Sequence, residues 1–280
     1  MTCQNNKWVK LMMENETVNL LENDRFDFLG FDKPEVNGKT EYKEFNAIDG
    51  ALPSVTTFGP FELTLKFRYT GLDSIDLELF CFELEQKIQK DKPYYLIFSK
   101  MPGLKFAVLP TPKVNPSPFA IRFSDIEITF TVFKGCSESL MTTDEFSLNS
   151  DHWQFGNGLI TDPNIKYKHH KRYFQIYNGS SFKVNPIHRH QIITTMNINA
   201  PNGFTLHNKT TGDKFTYKKK IRDTDTLVLN GVYPFKNKQH CGIDTNHEYI
   251  TLAEGYNDFE VLGDGVEVKE IKFTFNFVYR

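Results

Sequence analysis

The side chains best suited to chemistry in this 280-residue chain are its histidines, and His188-x-His190 is the first pair to consider. Alternation along a strand sends residues i and i+2 to one side, so the two imidazoles would point the same way. A zinc or iron centre needs a third and a fourth ligand. His240, Cys241 and His247 are the nearest in pattern, yet none falls in a metal-binding spacing, so no metal site is expected. His169-His170 lies inside the basic run Lys166 to Arg172, which suits a solvated loop or a contact for an acidic surface. Hydrolytic machinery is also missing: there is no Gly-x-Ser-x-Gly elbow, no His-Glu-x-x-His and no Gly-x-x-x-x-Gly-Lys-Ser/Thr phosphate loop. Asp213, Asp223, Asp225 and Asp244 sit in turn-like contexts, where a carboxylate more often fixes backbone than cleaves a glycoside. Trp153 and Tyr233 could stack on a sugar ring, which keeps a carbohydrate-binding module as the alternative reading. For Trp153 and Phe155, burial where two domains meet is a sufficient explanation. No catalytic residue and no cofactor is expected.

The elements that would carry these residues are mostly strands. The chain holds 26 Phe and 12 Tyr against 2 Trp, and aromatic residues favour strands. Phe61, Leu63, Leu65, Phe67 and Tyr69 alternate with polar residues, and so do Ile126, Ile128, Phe130 and Val132. Tyr94 to Phe98 and Leu104 to Leu109 flank the turn Met101-Pro102-Gly103 and read as a hairpin-like pair. One segment differs. Residues 73–90 contain no Gly or Pro, are rich in Leu and Glu, and stop before Pro93, which predicts a helix. At 100° per residue its apolar side chains form two groups. Leu77, Phe80, Cys81, Leu84 and Ile88 face one way, while Leu72, Ile75, Leu79 and Phe82 lie nearly opposite. Such a helix must be covered twice, once by its own sheet and again by a second layer or a neighbouring subunit. Pro110 to Pro118 holds four prolines in nine residues and is expected to be an extended arm or stiff loop without regular structure.

The texture changes near residue 148, giving an expected boundary between domains 1–148 and 149–280. Beyond it, strand candidates at Tyr173 to Tyr177, Gln191 to Ile198, Phe204 to His207, Lys214 to Lys218, Thr226 to Leu229, Tyr249 to Leu252 and Phe259 to Leu262 are joined by Asn-Gly and Gly-Asp-Gly turns. This spacing reads as an antiparallel sandwich. A long closing strand is expected, with Ile271, Phe273, Phe275, Phe277 and Tyr279 on one face and Lys272, Thr274, Asn276 and Val278 on the other. Four dispersed cysteines with no Cys-x-x-Cys argue for free thiols. No apolar run reaches bilayer length and Met1 to Lys10 lacks the plan of a secretory signal, so cytoplasmic synthesis and no membrane insertion are expected. The net charge of -2 disfavours a dedicated nucleic-acid binder. It hides an asymmetry: residues 1–149 carry 16 Lys and Arg against 22 Asp and Glu, and residues 150–280 carry 17 against 13.

A series of short motifs adds a family resemblance. Trp153-Gln154-Phe155-Gly156-Asn157-Gly158-Leu159 is followed by Ile176-Tyr177-Asn178-Gly179 and Val184-Asn185-Pro186. Then come Phe204 to Asp213, Leu227-Val228-Leu229-Asn230-Gly231-Val232, Asp244-Thr245-Asn246-His247, Thr251 to Phe259 and the terminal aromatic strand. In this order the chain resembles the distal tail protein family of siphophages that infect Gram-positive bacteria. The first half adds Asp49-Gly50, the Phe61 to Tyr69 strand, the following helix, Tyr94-Tyr95-Leu96 and Pro102-Gly103. The resemblance implies a mainly β chain of two sandwich-like domains, the first a ring-forming domain with one helix and the second galectin-like. It implies a homo-hexameric ring at the distal end of the virion tail, between the major tail tube protein and the tail-associated lysin or hub, that helps carry a receptor-binding protein. DNA would pass through the ring without specific binding. Relatives also suggest that the last residues, about 274–280, return to the first domain. The usual galectin ligand cluster has no counterpart here, so the galectin-like label is architectural.

Overall fold

The computed structural model describes residues 7–32, 35, 37–46, 49–145 and 165–280, and the chain divides into two units, Met1–Ser137 with Arg280, and Glu138–Tyr279. The expected boundary at 148/149 and both Trp153 and Phe155 lie outside the described residues. The chain is mainly β, with one α-helix among the described residues. Among them, too, no helix is long and apolar enough to cross a membrane.

The first unit contains β1 (Val9–Met12), β2 (Thr17–Asn19), β3 (Phe26–Phe31), β4 (Gly38–Lys39), β5 (Tyr42–Glu44), β6 (Ala51–Pro53), β7 (Thr57–Phe58) and β8 (Phe61–Thr70). After α1 (Ser74–Ile88) come β9 (Tyr94–Phe98), β10 (Leu104–Val108), β11 (Lys113–Ala120) and β12 (Phe123–Val132). The main sheet is ordered β2-β1-β9-β10-β12-β8-β3, with β11 also beside β12. Its backbone is the long antiparallel pair β8/β12, in register from Phe61 opposite Val132 to Thr70 opposite Phe123. The alternation read from sequence decides the two faces. Leu63, Leu65, Phe67, Ile126, Ile128 and Phe130 are fully buried on the inner one. The outer one carries a polar ladder: Thr64 and Thr129 hydroxyls 3.0 Å apart, Lys66 with Glu127 at 3.8 Å, and Arg68 with Asp125 at 2.8 Å. Phe98 of β9 meets Phe31 and Phe28 of β3 at ring distances of 5.1 and 6.0 Å, although three strands separate them in the sheet order. The sheet therefore curls over a shared aromatic core.

The proline segment departs from expectation. Residues 113–120 form strand β11, paired with β12 from Lys113 opposite Thr129 to Ala120 opposite Phe123, with an irregularity between Pro118 and Ala120. The physical reason is position. Pro116 and Pro118 are two residues apart, so they lack donors on the same side, and β11, which among the described residues pairs with β12 alone, does not need that row.

The second unit follows β13 (Ser137–Ser139), which straddles the division. It holds β14 (Lys168–His169), β15 (Tyr173–Asn178), β16 (Ile192–Asn199), β17 (Phe204–Asn208), β18 (Lys214–Tyr217) and β19 (Leu227–Asn230). The remaining strands are β20 (Tyr233–Lys236), β21 (Gln239–His240), β22 (Gly255–Leu262), β23 (Glu267–Phe275) and β24 (Val278–Tyr279). Two antiparallel sheets, β14-β23-β16-β19-β20-β21 and β15-β22-β17-β18, face each other. Phe273 of the first packs on Phe259 and Phe174 of the second, at 4.9 and 6.1 Å between ring centroids. The expected strand at Tyr249 to Leu252 is replaced by a single bridge between Leu252 and Val184, because the Asp213 carboxylate holds the Thr251 backbone N–H at 2.8 Å. Strands β20 and β21 were not anticipated. The long closing strand stops at Phe275: Asn276 is buried and its amide donates to the carbonyls of Ser139 and Met141 at 2.9 and 3.0 Å. Phe277, Val278 and Tyr279 are then all buried, so the expected outward face for Asn276 and Val278 is not formed. Residues 274–279 belong to the second unit and Arg280 to the first, where its guanidinium sits 3.7 Å from the Phe58 ring centroid.

Candidate assembly surface

Helix α1 is built to hold one side down and leave the other bare. Asp73 caps it by accepting the Asp76 N–H at 2.9 Å, and Asp76 in the first turn suits the positive end of the helix. One Asp76 carboxylate oxygen accepts from the Leu72 N–H, the Tyr69 hydroxyl and an Arg25 guanidinium nitrogen, each at 2.9 Å. The Leu72 N–H, Tyr69 and Arg25 hold this carboxyl below its usual range. Burial, and then the bond to Asp76, push the Tyr69 phenol up to about 12, so it stays a donor at any physiological pH. Phe80 stacks on Tyr69 at 4.1 Å and 8° and touches Phe26 at 4.9 Å, while Leu84 and Ile88 are buried in the core. At the C-terminal end the Tyr94 hydroxyl donates to the Ile88 carbonyl at 2.8 Å.

The other side of α1 has no cover within the described residues. Leu72, Ile75, Leu79 and Phe82 are 64, 73, 56 and 60% exposed. They are the four side chains that the 100° periodicity set apart. Beside them runs an open cleft of about 380 Å³ lined by Leu77, Glu78, Cys81, Phe82 and Glu85 of the helix and by Pro116 and Pro118 of β11. Burial, then Glu85 and Glu78, push the Cys81 thiol up, so it lines the cleft as a neutral group at pH 7. Further exposed apolar side chains, not singled out in the sequence, lie along the ribbon formed by β4 with β7 and β5 with β6. Its Tyr42, Leu52 and Val55 are 67, 63 and 87% exposed.

Among the described residues, those with chemical potential are not brought together at one site. The His188 and His190 rings are 5.9 Å apart, and His190 is buried with Nδ1 accepting the Asn185 N–H at 3.0 Å. Among the described residues no three His, Cys, Asp or Glu side chains come together as a metal site. Of the four carboxylates expected to fix turns, Asp213 accepts the Thr251 N–H at 2.8 Å and Asp225 accepts the Arg222 N–H at 3.2 Å as well as the Asn237 amide at 2.9 Å. Asp244 pairs with Lys219 at 2.7 Å and Asp223 with Lys269 at 3.8 Å. Tyr233 is 61% exposed, with the His240 ring 6.5 Å away.

Comparison with known proteins gives a sequence match and a structural one. Residues 18–132 match the family described as phage tail protein RIFT-related domain. Among solved structures, the SPP1 Dit protein, described as a paradigm of the hub adsorption apparatus in phages infecting Gram-positive bacteria, has a TM-score of 0.63 at 12% identity. That match covers 96% of this chain and 99% of the other. A chain of the phage p2 baseplate in its activated conformation with Sr has a TM-score of 0.42 at 10% identity, covering 96% of this chain and 97% of that one. No curated protein sequence matches the chain.

Proposed function

We propose that this chain, a structural phage tail protein by its domain and of distal-tail type by its fold, closes into a homo-hexameric ring at the distal end of the virion tail. The ring joins the major tail tube protein to the tail-associated lysin or hub, helps carry a receptor-binding protein, and is assembled in the host cytoplasm before it enters the virion. Its role is architectural and not enzymatic. One observation carries the reading: a helix fixed at both ends presents Ile75, Leu79 and Phe82 bare on its free side, with Leu72 bare just before its cap, which marks a surface made to be covered. In a cyclic assembly every copy is covered in the same way, and no bare face is left over. The acidic balance of residues 1–149 suits a channel that lets DNA pass without gripping it, since like charge opposes adhesion.

The test is the mass and shape of the purified full-length chain, alone and mixed with tail-tube and hub proteins, by native mass spectrometry and electron microscopy. Closed rings are expected. A monomer under all of these conditions overturns the reading. The alternative, a carbohydrate-binding module, rests on exposed Tyr233; it predicts saturable binding of host cell-wall polysaccharide by the full chain that Tyr233→Ala abolishes, whereas an architectural protein shows no saturation.

A further inference from the structure

We propose that the cleft between α1 and β11 binds an extended segment of another protein, one that carries two arginines three residues apart. The inference goes beyond the ring reading and does not depend on it. Glu78 and Glu85 line the cleft from the helix together with apolar Leu77 and Phe82, and Pro116 and Pro118 line it from the strand. The polar chemistry of this lining is one-sided. Neither Glu78 nor Glu85 pairs with a cation among the described residues, although Glu85 is half-buried. The nearest lysines in sequence, Lys87 and Lys90, are turned to Glu22 and Glu16 at 3.6 and 3.8 Å. Holding a carboxylate partly out of water without a countercharge is costly, and a cation brought by a ligand offsets that cost.

The strand side adds acceptors and no donor. β12 turns the Thr131 carbonyl and the Phe133 N–H toward β10. By alternation Glu127 and Asp125 bond on that same side, to Asn115 and Ser117 opposite them. The carbonyls of Pro116 and Pro118 are thereby left on the free edge of β11, where proline has no N–H to offer. A guest must bring donors and positive charge to a cleft whose other walls are apolar, and arginine supplies both on an apolar stem. Spacing narrows the guest further. Seven residues along a helix rise about 10.5 Å over nearly two full turns, so the two carboxylates stand on one side of α1. A polyproline-type segment returns to the same side every three residues, over about 9.3 Å, whereas a β-strand does so over about 6.7 or 13 Å. Arginines at positions i and i+3 of such a segment meet both carboxylates while their apolar neighbours lie against Phe82 and the proline rings. No two of this chain's seven arginines stand three apart, so the guest belongs to a different protein.

The test uses the full-length protein and two synthetic hexapeptides of one composition, Pro-Arg-Leu-Pro-Arg-Pro and Pro-Arg-Arg-Leu-Pro-Pro, acetylated, amidated and labelled for fluorescence anisotropy. The first should bind saturably and slow the alkylation of Cys81 by N-ethylmaleimide, read by peptide mapping, and the second should bind far more weakly. Glu85→Gln should weaken the first peptide about tenfold, as loss of one charge-assisted contact does, and leave the melting temperature nearly unchanged. Equal binding of the two peptides, or undiminished binding by Glu85→Gln, overturns the proposal. So does protection of Cys81 on ring formation without peptide, which assigns the cleft to a neighbouring copy. Ring formation is scored separately by native mass spectrometry, so failure of either reading leaves the other standing.

Discussion

Replacing Leu79 and Phe82 together by serine separates a surface made for assembly from an ordinary solvent-facing helix. Full burial of a leucine or phenylalanine contributes about 1.5–3 kcal/mol, and side chains that are 56 and 60% exposed in the single chain have roughly half of that still to gain. The pair thus holds about 2–3 kcal/mol of association free energy at each subunit contact, equivalent to a roughly thirty- to 140-fold change in affinity at about 1.4 kcal/mol per tenfold. Folding should hardly notice, because substitutions at exposed positions cost within about 0.5 kcal/mol each. Leu84 on the opposite side is 3% exposed, and Leu84→Ala should cost about 2–5 kcal/mol of fold stability. Sedimentation across a concentration series reads association, and urea unfolding reads stability. The reasoning is refuted if the Leu79→Ser, Phe82→Ser protein assembles at the same concentration as the wild type, or if it loses as much stability as Leu84→Ala.

Asp76 makes stability depend on acid in a defined direction. Its folded pKa lies below the ordinary 3.8, so its contribution is complete above that value and is lost as pH falls through the depressed one. The advantage of wild type over Asp76→Asn in urea unfolding should shrink as pH falls below the ordinary carboxylate value, and a pH-independent difference would reject this role. Gly203 has φ +80°, and a Cβ there would lie 2.2 Å from the Tyr217 carbonyl oxygen, whereas Gly212 has φ +82° with nothing within 4 Å. Gly203→Ala should therefore lower the melting temperature well beyond Gly212→Ala, whose cost is the left-handed backbone alone, about 1 kcal/mol. Replacing several acids of residues 1–149 by lysine should leave ring assembly intact and impair DNA delivery, and unchanged infectivity would count against an acidic channel.

Much of this was legible in the sequence where a single periodicity dominates. Residues 61–69 and 126–132 alternate strictly because one face is buried, and the helix at residues 73–90 shows its two apolar sides because both matter. Legibility failed where backbone pairing or a distant side chain decides. Four prolines in nine residues read as irregular chain, since local propensity cannot reveal that among the described residues β11 pairs with β12 alone. Tyr249 to Leu252 looked like a strand until a carboxylate 38 residues away in sequence took the Thr251 N–H. Phe275 to Tyr279 kept the alternating pattern in sequence but not in space, because Asn276 found two carbonyls to satisfy its amide inside the unit. The ribbon of β4 to β7 gave no signal because its apolar residues are sparse and, among the described residues, mostly exposed.

What turns the bare helix face from an accident of exposure into a surface for assembly is how firmly it is presented. Association costs include ordering side chains and segments at the interface, and a surface already fixed in the free subunit avoids much of that cost. Here the first turn of α1 is tied to β8 through Tyr69 and to the chain before β3 through Arg25, both at Asp76, and its last turn is tied to β9 through Tyr94. Between those ties, Phe80, Leu84 and Ile88 seat the inner side in the core. A helix whose outer side merely happened to be apolar would need no such fixation at both ends. The clamps hold Leu72, Ile75, Leu79 and Phe82 in one fixed pattern, which every copy around a ring must share if the last contact is to close on the first.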